Sequence, residues 1–209
     1  TIDGGSENDT IRLTNAEAYD LTQDTNNITN VEVVSLDENA TGFVVTLDDG
    51  MASTSDLGGA NSGTVRVDAG QEMTNGVEVV ASDFGATQEL LITDGDFNGD
   101  DTLTGGAGND SIDGDAGDDS ITGNAGADSL TGDAGDDTIL GGSGVDVITG
   151  DAGEDSITGG TGLDNLSGGA GNDTFVTASA AEIVTAGVGT ETIDGGSEND
   201  TIRLTNAEA

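Results

Sequence analysis

An aspartate recurs at every ninth residue through the middle of this chain. Its carboxylate offers hard oxygen ligands, whereas the chain contains no histidine and no cysteine, so zinc sites, haem ligands, disulfides and histidine-based triads are excluded. Oxygen donors alone favour Ca²⁺ over transition metals. We therefore predict calcium ligands at Asp101, Asp110, Asp119, Asp128, Asp137, Asp146, Asp155, Asp164 and Asp173.

The alternative is that these aspartates are solvated turn residues, which are common where Gly and Asp cluster. A turn aspartate, however, needs no constant spacing along the chain. Unliganded carboxylates on stacked strands, about 4.8 Å apart, would also repel one another. The sequence therefore predicts that folding is coupled to calcium binding.

The aspartates occupy the sixth position of a nonapeptide repeat. From Gly105 to Val176 the chain is eight consecutive nonapeptides without an insertion or deletion, and residues 96–104 keep the same frame. Glycines at positions one, two and four permit positive φ and tight packing, and positions seven to nine predict a three-residue strand with one inward side chain. Two nonapeptides would form one turn, with an inward ladder of Leu103, Ile112, Ile121, Leu130, Ile139, Ile148, Ile157, Leu166 and Phe175.

The pattern G-G-x-G-x-D-x-U-x resembles the RTX (repeats-in-toxin) family of calcium-binding repeats, and the resemblance covers about half of the chain. It implies an all-β fold, a parallel β-helix or β-roll solenoid with calcium between successive turns, and type I secretion. It also implies that calcium lies between aspartates one turn apart, Asp101 with Asp119 and Asp137 on one edge and Asp110 with Asp128 and Asp146 on the other.

A second acidic segment, DGDFNGD, resembles the start of an EF-hand-type loop. Its oxygen donors are Asp94, Asp96, Asn98 and Asp100, but the twelfth position is Gly105, so the bidentate acid is missing. Two interpretations stay open, an extra calcium site at the entrance of the roll and an ordinary polar turn.

The two edges of the predicted roll differ in chemistry. Alternate nonapeptides carry extra acids, Asp115 with Asp118, Asp133 with Asp136, and Asp151 with Glu154, which would stack on one edge. On the other edge the fifth position is Ala127, Val145 and Leu163. This difference indicates either recent duplication of a two-nonapeptide unit or lateral self-association through the apolar edge.

Residues 13–95 lack the nonapeptide but contain short alternating β-type runs separated by Gly, Asn and Asp turns, without proline. The spacing of these runs fits coils of a wider parallel β-helix that merges into the roll. An independent β-sandwich is the alternative.

The segment 1–18 recurs letter for letter at 192–209, so the sequence starts again immediately after position 191. Either the parent is a tandem array of near-identical units, which we favour, or the overlap was designed. We expect the chain to begin within an element, with neighbouring copies joined end to end. The expected organisation is the end of an RTX-like tract at 1–12, the β-rich segment at 13–95, the roll at 96–176, degenerate nonapeptides at 177–203, and the start of the next repeat at 192–209.

The net charge is −39, from 42 acidic and 3 basic residues. No basic patch can form, so nucleic acid and anionic membranes are excluded as main partners, and no apolar run approaches the length of a membrane span. Such a composition would favour disorder unless cations neutralise the carboxylates. Calcium concentrations outside cells suit this requirement, so we expect an extracellular or cell-surface location.

These features favour a calcium-stiffened extracellular fibre unit of adhesin, surface-layer or matrix type, with no enzymatic activity. A ligand- or ice-binding face is the main alternative, because Thr102, Ser120 and Ser156 would align in a hydroxyl ladder. A polysaccharide-acting enzyme is the third possibility, since parallel β-helices can support such chemistry and carboxylates are abundant.

Overall fold

A computed structural model of the chain describes residues 2–3, 10–13, 19–20, 28–29, 33–36, 43–47, 63–69, 76–82, 85–86, 88–92, 97–177 and 192–204. All regular elements in these ranges are β-strands. None of the described residues belongs to a helix that could cross a membrane.

The strands follow the chain in two groups, a first group with irregular spacing and a second group with regular spacing. The first group is β1 Ile2–Asp3, β2 Thr10–Leu13, β3 Tyr19–Asp20, β4 Ile28–Thr29, β5 Val33–Leu36, β6 Phe43–Thr46, β7 Gly63–Ala69, β8 Val77–Val80 and β9 Gln88–Ile92. The second group is β10 Thr102–Thr104, β11 Ser111–Asp113, β12 Ser120–Ala125, β13 Ser129–Ala134, β14 Thr138–Ser143, β15 Val147–Ala152, β16 Ser156–Thr161, β17 Asn165–Ala170, β18 Thr174–Thr177, β19 Thr192–Ser197 and β20 Thr201–Leu204.

Two parallel sheets of nine strands each run along the molecule, and the chain alternates between them. We call them sheet I, with β2, β5, β7, β9, β11, β13, β15, β17 and β19, and sheet II, with β3, β6, β8, β10, β12, β14, β16, β18 and β20. The remaining two strands, β1 and β4, pair only with each other. The fold is therefore the all-β parallel solenoid that the sequence predicted.

In the nonapeptide tract, each strand pairs with the strand two nonapeptides later in the chain. Leu103 lies beside Ile121 in sheet II, and Ile112 lies beside Leu130 in sheet I. The inward ladder predicted from position eight is buried from Leu103 to Phe175. Two nonapeptides therefore make one turn of the roll.

The preceding strands continue the same two sheets through longer coils. Thr10 pairs with Val33, Val33 with Arg66, and Gly63 with Gln88, so the connecting lengths differ from turn to turn. Because these pairs are parallel, the described part of this half is not a β-sandwich but a set of wider coils. Strands β5, β7, β8 and β9 bury two apolar side chains each, as Val65 and Val67 do in β7.

The roll buries only one apolar side chain per strand, because the second inward position is the glycine that opens each nonapeptide. In β13, for example, Leu130 and Gly132 are the two buried residues. A side chain at such a glycine would collide with the carboxylate of the aspartate five residues later. The first glycine is thus required for space, and the positive φ predicted for it from the sequence is not adopted.

The strands of the roll are mostly longer than the three residues predicted. From β12 to β17 each strand has six residues, because pairing skips the first position of the next nonapeptide and resumes at its second position. That second position has positive φ even when it is not glycine, as at Asp133 (φ 69°). Asp and Asn tolerate this conformation better than most residues, so the ladder bends there without ending.

The last turn breaks the regular spacing. Leu166 pairs with Ile193 and Phe175 with Ile202, so three nonapeptide lengths separate the partners instead of two. One extra nonapeptide length therefore lies between β18 and β19, and residues 178–191 are outside the described part of the chain. The degenerate nonapeptides keep the frame of nine but not the two-per-turn count.

Candidate metal centre

The nine repeating aspartates form two columns, one along each edge of the roll. Each side chain is buried at the point where a loop enters a strand. Column one runs along the edge where the chain passes from sheet I to sheet II, and column two runs along the opposite edge. Column one contains Asp101, Asp119, Asp137, Asp155 and Asp173, and column two contains Asp110, Asp128, Asp146 and Asp164.

One carboxylate oxygen of each aspartate ties two turns together. The Oδ1 atom accepts a hydrogen bond from the backbone N–H of the aspartate one turn earlier, as from Asp119 to Asp137 at 2.8 Å and from Asp110 to Asp128 at 2.8 Å. This places aspartates two nonapeptides apart in direct contact, in the order that the resemblance implied. The columns therefore connect successive turns even before any ion is considered.

The first aspartate of each column bonds to the wider coils instead of to another aspartate. Asp101 Oδ1 accepts the N–H of Val77 at 2.6 Å, and Asp110 Oδ1 accepts the N–H of Leu90 at 2.7 Å. Val77 begins β8 and Leu90 lies in β9, so the two columns start on consecutive strands, one in each sheet. The junction between the two halves is thus made by the same contact that repeats along the roll.

The second carboxylate oxygen is buried and lacks a hydrogen-bond partner in most of the repeats. This holds for the Oδ2 atoms of Asp101, Asp119, Asp128, Asp137, Asp146, Asp155 and Asp173. Asp110 differs, because its Oδ2 accepts the N–H of Gly106 at 2.8 Å. A buried ionised oxygen without a partner costs much free energy, so such a regular set indicates a missing positive partner.

The unpartnered oxygen lies close to a backbone carbonyl of the next turn. At Gly132, the space where a Cβ would stand is bordered by Asp137 Oδ2 and by the carbonyl oxygen of Gly150. The same pairing of carboxylate and carbonyl recurs at Gly123 with Asp128 and the carbonyl of Gly141. Each site thus offers oxygen donors from two turns, which is the donor type that Ca²⁺ prefers.

Burial raises the pKa of these aspartates above the ordinary value. For Asp119 burial raises the pKa to about 8, with further contributions from Asp101 and Asp137, although the N–H of Asp101 opposes the shift. Burial likewise raises the pKa of Asp101 to about 7 and that of Asp137 to about 6. A bound divalent cation would restore the ionised form, because it supplies the charge that the buried site lacks.

One acidic group at the start of the roll was not predicted from the sequence. Oxygen atoms of Asp113, Asp115 and Asp133 lie within 4.8 Å of one another. Burial, together with a hydrogen bond and repulsion from Asp133, raises the pKa of Asp113 to about 7. The signal available in the sequence was Asp113 at position nine, where the other sheet I repeats of the roll carry Thr or Ser.

The EF-hand-like segment is described only in part. Asp100 belongs to the edge of the roll, because its Oδ1 accepts the N–H of Asp118 at 3.1 Å. Asn98 is half-buried, and Asp94 and Asp96 lie outside the described residues. The extra calcium site at this segment therefore stays a prediction.

The last copy of the repeat departs from the pattern at its fourth position, where Glu198 stands in place of glycine. Asp200 nevertheless continues column one, since its Oδ1 accepts the N–H of Asp173 at 3.1 Å. Its side chain is exposed, unlike those of the nine regular aspartates. Asp9, in the N-terminal copy, is outside the described residues.

Comparison with known protein families gives one match. The model for the RTX calcium-binding nonapeptide repeat (4 copies) matches residues 97–130, 113–148, 122–157, 140–175 and 183–204. No curated protein and no solved structure matches the chain. The matched residues contain both aspartate columns, and repeats of this family bind calcium.

Proposed function

We propose that this chain, whose residues 97–175 and 183–204 are RTX calcium-binding nonapeptide repeats, is a structural or adhesive unit of an extracellular repeat fibre. In this proposal the roll folds and stiffens when it binds calcium after secretion. The ligands are the nine column aspartates together with backbone carbonyls of the neighbouring turns. The family is a structural calcium-binding repeat and not a catalytic one, which supports a role without enzymatic activity.

The observation that carries the proposal is the regular set of buried Oδ2 atoms without hydrogen-bond partners. In a chain with a net charge of −39, burial of carboxylates in the core would cost much free energy unless cations were bound beside them. One cation between each pair of turns would satisfy the oxygens and cancel the repulsion along each column. Calcium would then act as part of the core of the roll.

The geometry suits an end-to-end fibre. Nine parallel strands about 4.8 Å apart extend the unit about 38 Å along its axis. The exact recurrence of segment 1–18 at 192–209 supports an array in which one unit continues into the next. Each unit would cover the open end of its neighbour, as repeats do in other solenoids.

Extracellular calcium provides the trigger in this proposal. Proteins with RTX repeats are typically secreted, and a chain that stays unfolded at low calcium could be exported before it folds. Outside the cell, millimolar calcium would make the unfolded chain fold into a rod. An adhesin stalk, a surface layer and a biofilm matrix are the settings that this behaviour fits.

A calcium titration followed by far-ultraviolet circular dichroism tests the proposal. We expect a cooperative gain of β-structure with Ca²⁺ and a much smaller gain with the same concentration of Mg²⁺, which demands a stricter octahedral geometry. Electron microscopy of a tandem of units in calcium should then show straight rods. Unchanged spectra after exhaustive chelation would contradict the proposal.

Two neighbouring aspartates offer a matched pair of variants. Asp137 is buried in column one, whereas Asp136 is exposed on the same edge. Both side chains accept a backbone N–H through Oδ1, which asparagine can still do. Asp137→Asn should reduce the number of bound ions measured by isothermal titration calorimetry, whereas Asp136→Asn should leave it unchanged.

A further inference from the structure

The fifth positions of the nonapeptides differ sharply between the two edges. Where the chain passes from sheet I to sheet II, these positions hold Asp118, Asp136, Glu154 and Asn172, which are linked by hydrogen bonds along the axis. On the opposite edge they hold Asn109 and then Ala127, Val145 and Leu163, and we call these last three the apolar edge. Val145 is 57% exposed and Leu163 is 43% exposed, and nearby Val147 is 47% exposed.

Exposed carboxylates are also absent around the apolar edge of the described roll. Beside Val145 and Leu163, residues 142–145 and 160–163 contain no acid, and Asp146 and Asp164 are buried. Two copies that met through the opposite edge would bring the exposed carboxylates of Asp118, Asp136 and Glu154 together and repel each other. At the apolar edge a like-charged copy of the chain can approach closely, and burial of its valine and leucine side chains favours the contact.

The identical ends of the chain reveal a second feature. The segment TIRL forms β2 at Thr10–Leu13, which belongs to sheet I, and it forms β20 at Thr201–Leu204, which belongs to sheet II. The same four residues thus lie on opposite sheets at the two ends of one unit. The chain makes an odd number of half-turns between β2 and β20. The separation of β18 from β20 by three nonapeptide lengths, instead of two, contributes to this odd number.

We propose that the apolar edge is a lateral interface between copies of this chain, and that successive units of a tandem array present it on opposite sides of the rod. The proposal rests on the tandem fibre described above. If TIRL begins each unit in the same way, each unit is rotated by about half a turn relative to the one before it. A rod would then contact one neighbouring rod on each side and could extend into a layer.

The contact between single units is small. The apolar edge has three rungs, and Val145 is the middle one, so either parallel in-register or antiparallel pairing places Val145 opposite its own copy. Three rungs expose far less area than the roughly 800 Å² per partner of a stable interface. Single units would therefore meet transiently, and stable association would require several units linked in one chain.

Disulfide formation between chains tests the interface, because the chain has no cysteine. Val145→Cys should form disulfide-linked dimers at least about ten times faster than Leu140→Cys in calcium, since contact at the edge raises the local thiol concentration. Leu140 is a suitable control because it is also apolar and exposed, at 40%, but lies outside the apolar edge on sheet II. Equal rates for the two variants would overturn the interface.

A pair of double-cysteine variants of the full chain tests the half-turn. Val176 and Arg203 are neighbours on β18 and β20, so Val176→Cys with Arg203→Cys should cross-link within one chain. If the two-nonapeptide turn continued without interruption, Arg203 would instead lie in sheet I, directly beside Thr185, two nonapeptides earlier. Preferential cross-linking of Thr185→Cys with Arg203→Cys would overturn the half-turn.

At the other end, Arg12→Cys with Ser35→Cys should cross-link, because Arg12 pairs with Ser35 in sheet I. Failure of this cross-link in the folded chain would also overturn the half-turn. Circular dichroism with and without calcium is recorded first on each variant. A chain that does not fold with calcium contradicts the proposed function, whereas a folded chain with equal dimerisation rates contradicts the lateral interface alone.

Discussion

The wider coils and the nonapeptide roll share the same two sheets but are stabilised by different means. Strands β5, β7, β8 and β9 of the wider coils bury two apolar side chains each, such as Val77 and Val79 in β8. Each strand of the roll buries one, and the space of the second is taken by an aspartate carboxylate beside a glycine. One half can therefore rely on apolar burial, whereas the other buries carboxylates whose charge a bound cation would offset.

Removal of calcium should produce a larger difference in stability between the two halves than any other change. We expect chelation to abolish amide protection throughout the roll, from Asp101 to Thr177, while strands β5 to β9 keep part of theirs. Hydrogen exchange measured by mass spectrometry resolves the two regions. Equal loss of protection in both halves would mean that the wider coils also depend on the ions.

A methyl group at a first-position glycine should have the next largest effect. In Gly132→Ala the new Cβ would meet Asp137 Oδ2 and the carbonyl oxygen of Gly150, so it would occupy the space between two calcium donors. We expect loss of about one bound ion and a lower midpoint of thermal unfolding in calcium. Gly85→Ala in the other half is the control, because its Cβ would meet only the flexible Gln88 side chain, at 3.5 Å.

A cavity in the wider coils should destabilise that half without affecting its response to calcium. Leu36 is completely buried in β5, and Leu36→Ala should cost about 2–5 kcal/mol of unfolding free energy. The number of ions bound by the roll should stay the same. Denaturant unfolding together with calcium titration checks both statements, and a reduced ion count would show that the two halves fold as one unit.

Acid should partly replace calcium in the roll. Burial raises the pKa of Asp101 to about 7 and that of Asp119 to about 8, so in the absence of calcium the folded roll favours the protonated forms. Stability from these groups is present at low pH and is lost as the pH rises through those raised pKa values.

Circular dichroism of the calcium-free chain should therefore show more β-structure near about pH 5 than near about pH 8. With calcium bound the direction reverses, because protons compete with the ion for the same carboxylates. A calcium-free chain whose spectrum does not change over this interval would contradict the assigned burial of column one.

The sequence predicted the roll well because each nonapeptide position has one physical role. Position eight faces inward and position six carries the carboxylate, so the ladder and both columns follow from counting in nines. The six-residue strands could not be anticipated, since Asp133 and Asn124 adopt positive φ without interrupting the pairing. The organisation into units and the identity of the calcium ligands stay predictions.

Other features were not predictable by counting. The wider coils lack a constant period, so the pairing of Val33 with Arg66 depends on packing and not on spacing. The longer last turn was also missed, although TASAAEIVT lacks all the glycines that let the other nonapeptides bend. These glycines are missing at the place where β18 and β19 are separated by one nonapeptide length more than other successive strands of the roll.

The hydrogen bonds that begin the two aspartate columns define a direction in which the roll can fold. Val77 and Leu90 present backbone N–H groups at the end of the wider coils, and the first roll aspartates accept them. Once a turn is laid down, its own aspartate N–H groups present the same pattern to the turn that follows. The wider coils can thus serve as a folding nucleus, so that the first turn of the roll forms on an existing template. Folding of the roll would then propagate from there toward the C-terminus, one turn after another.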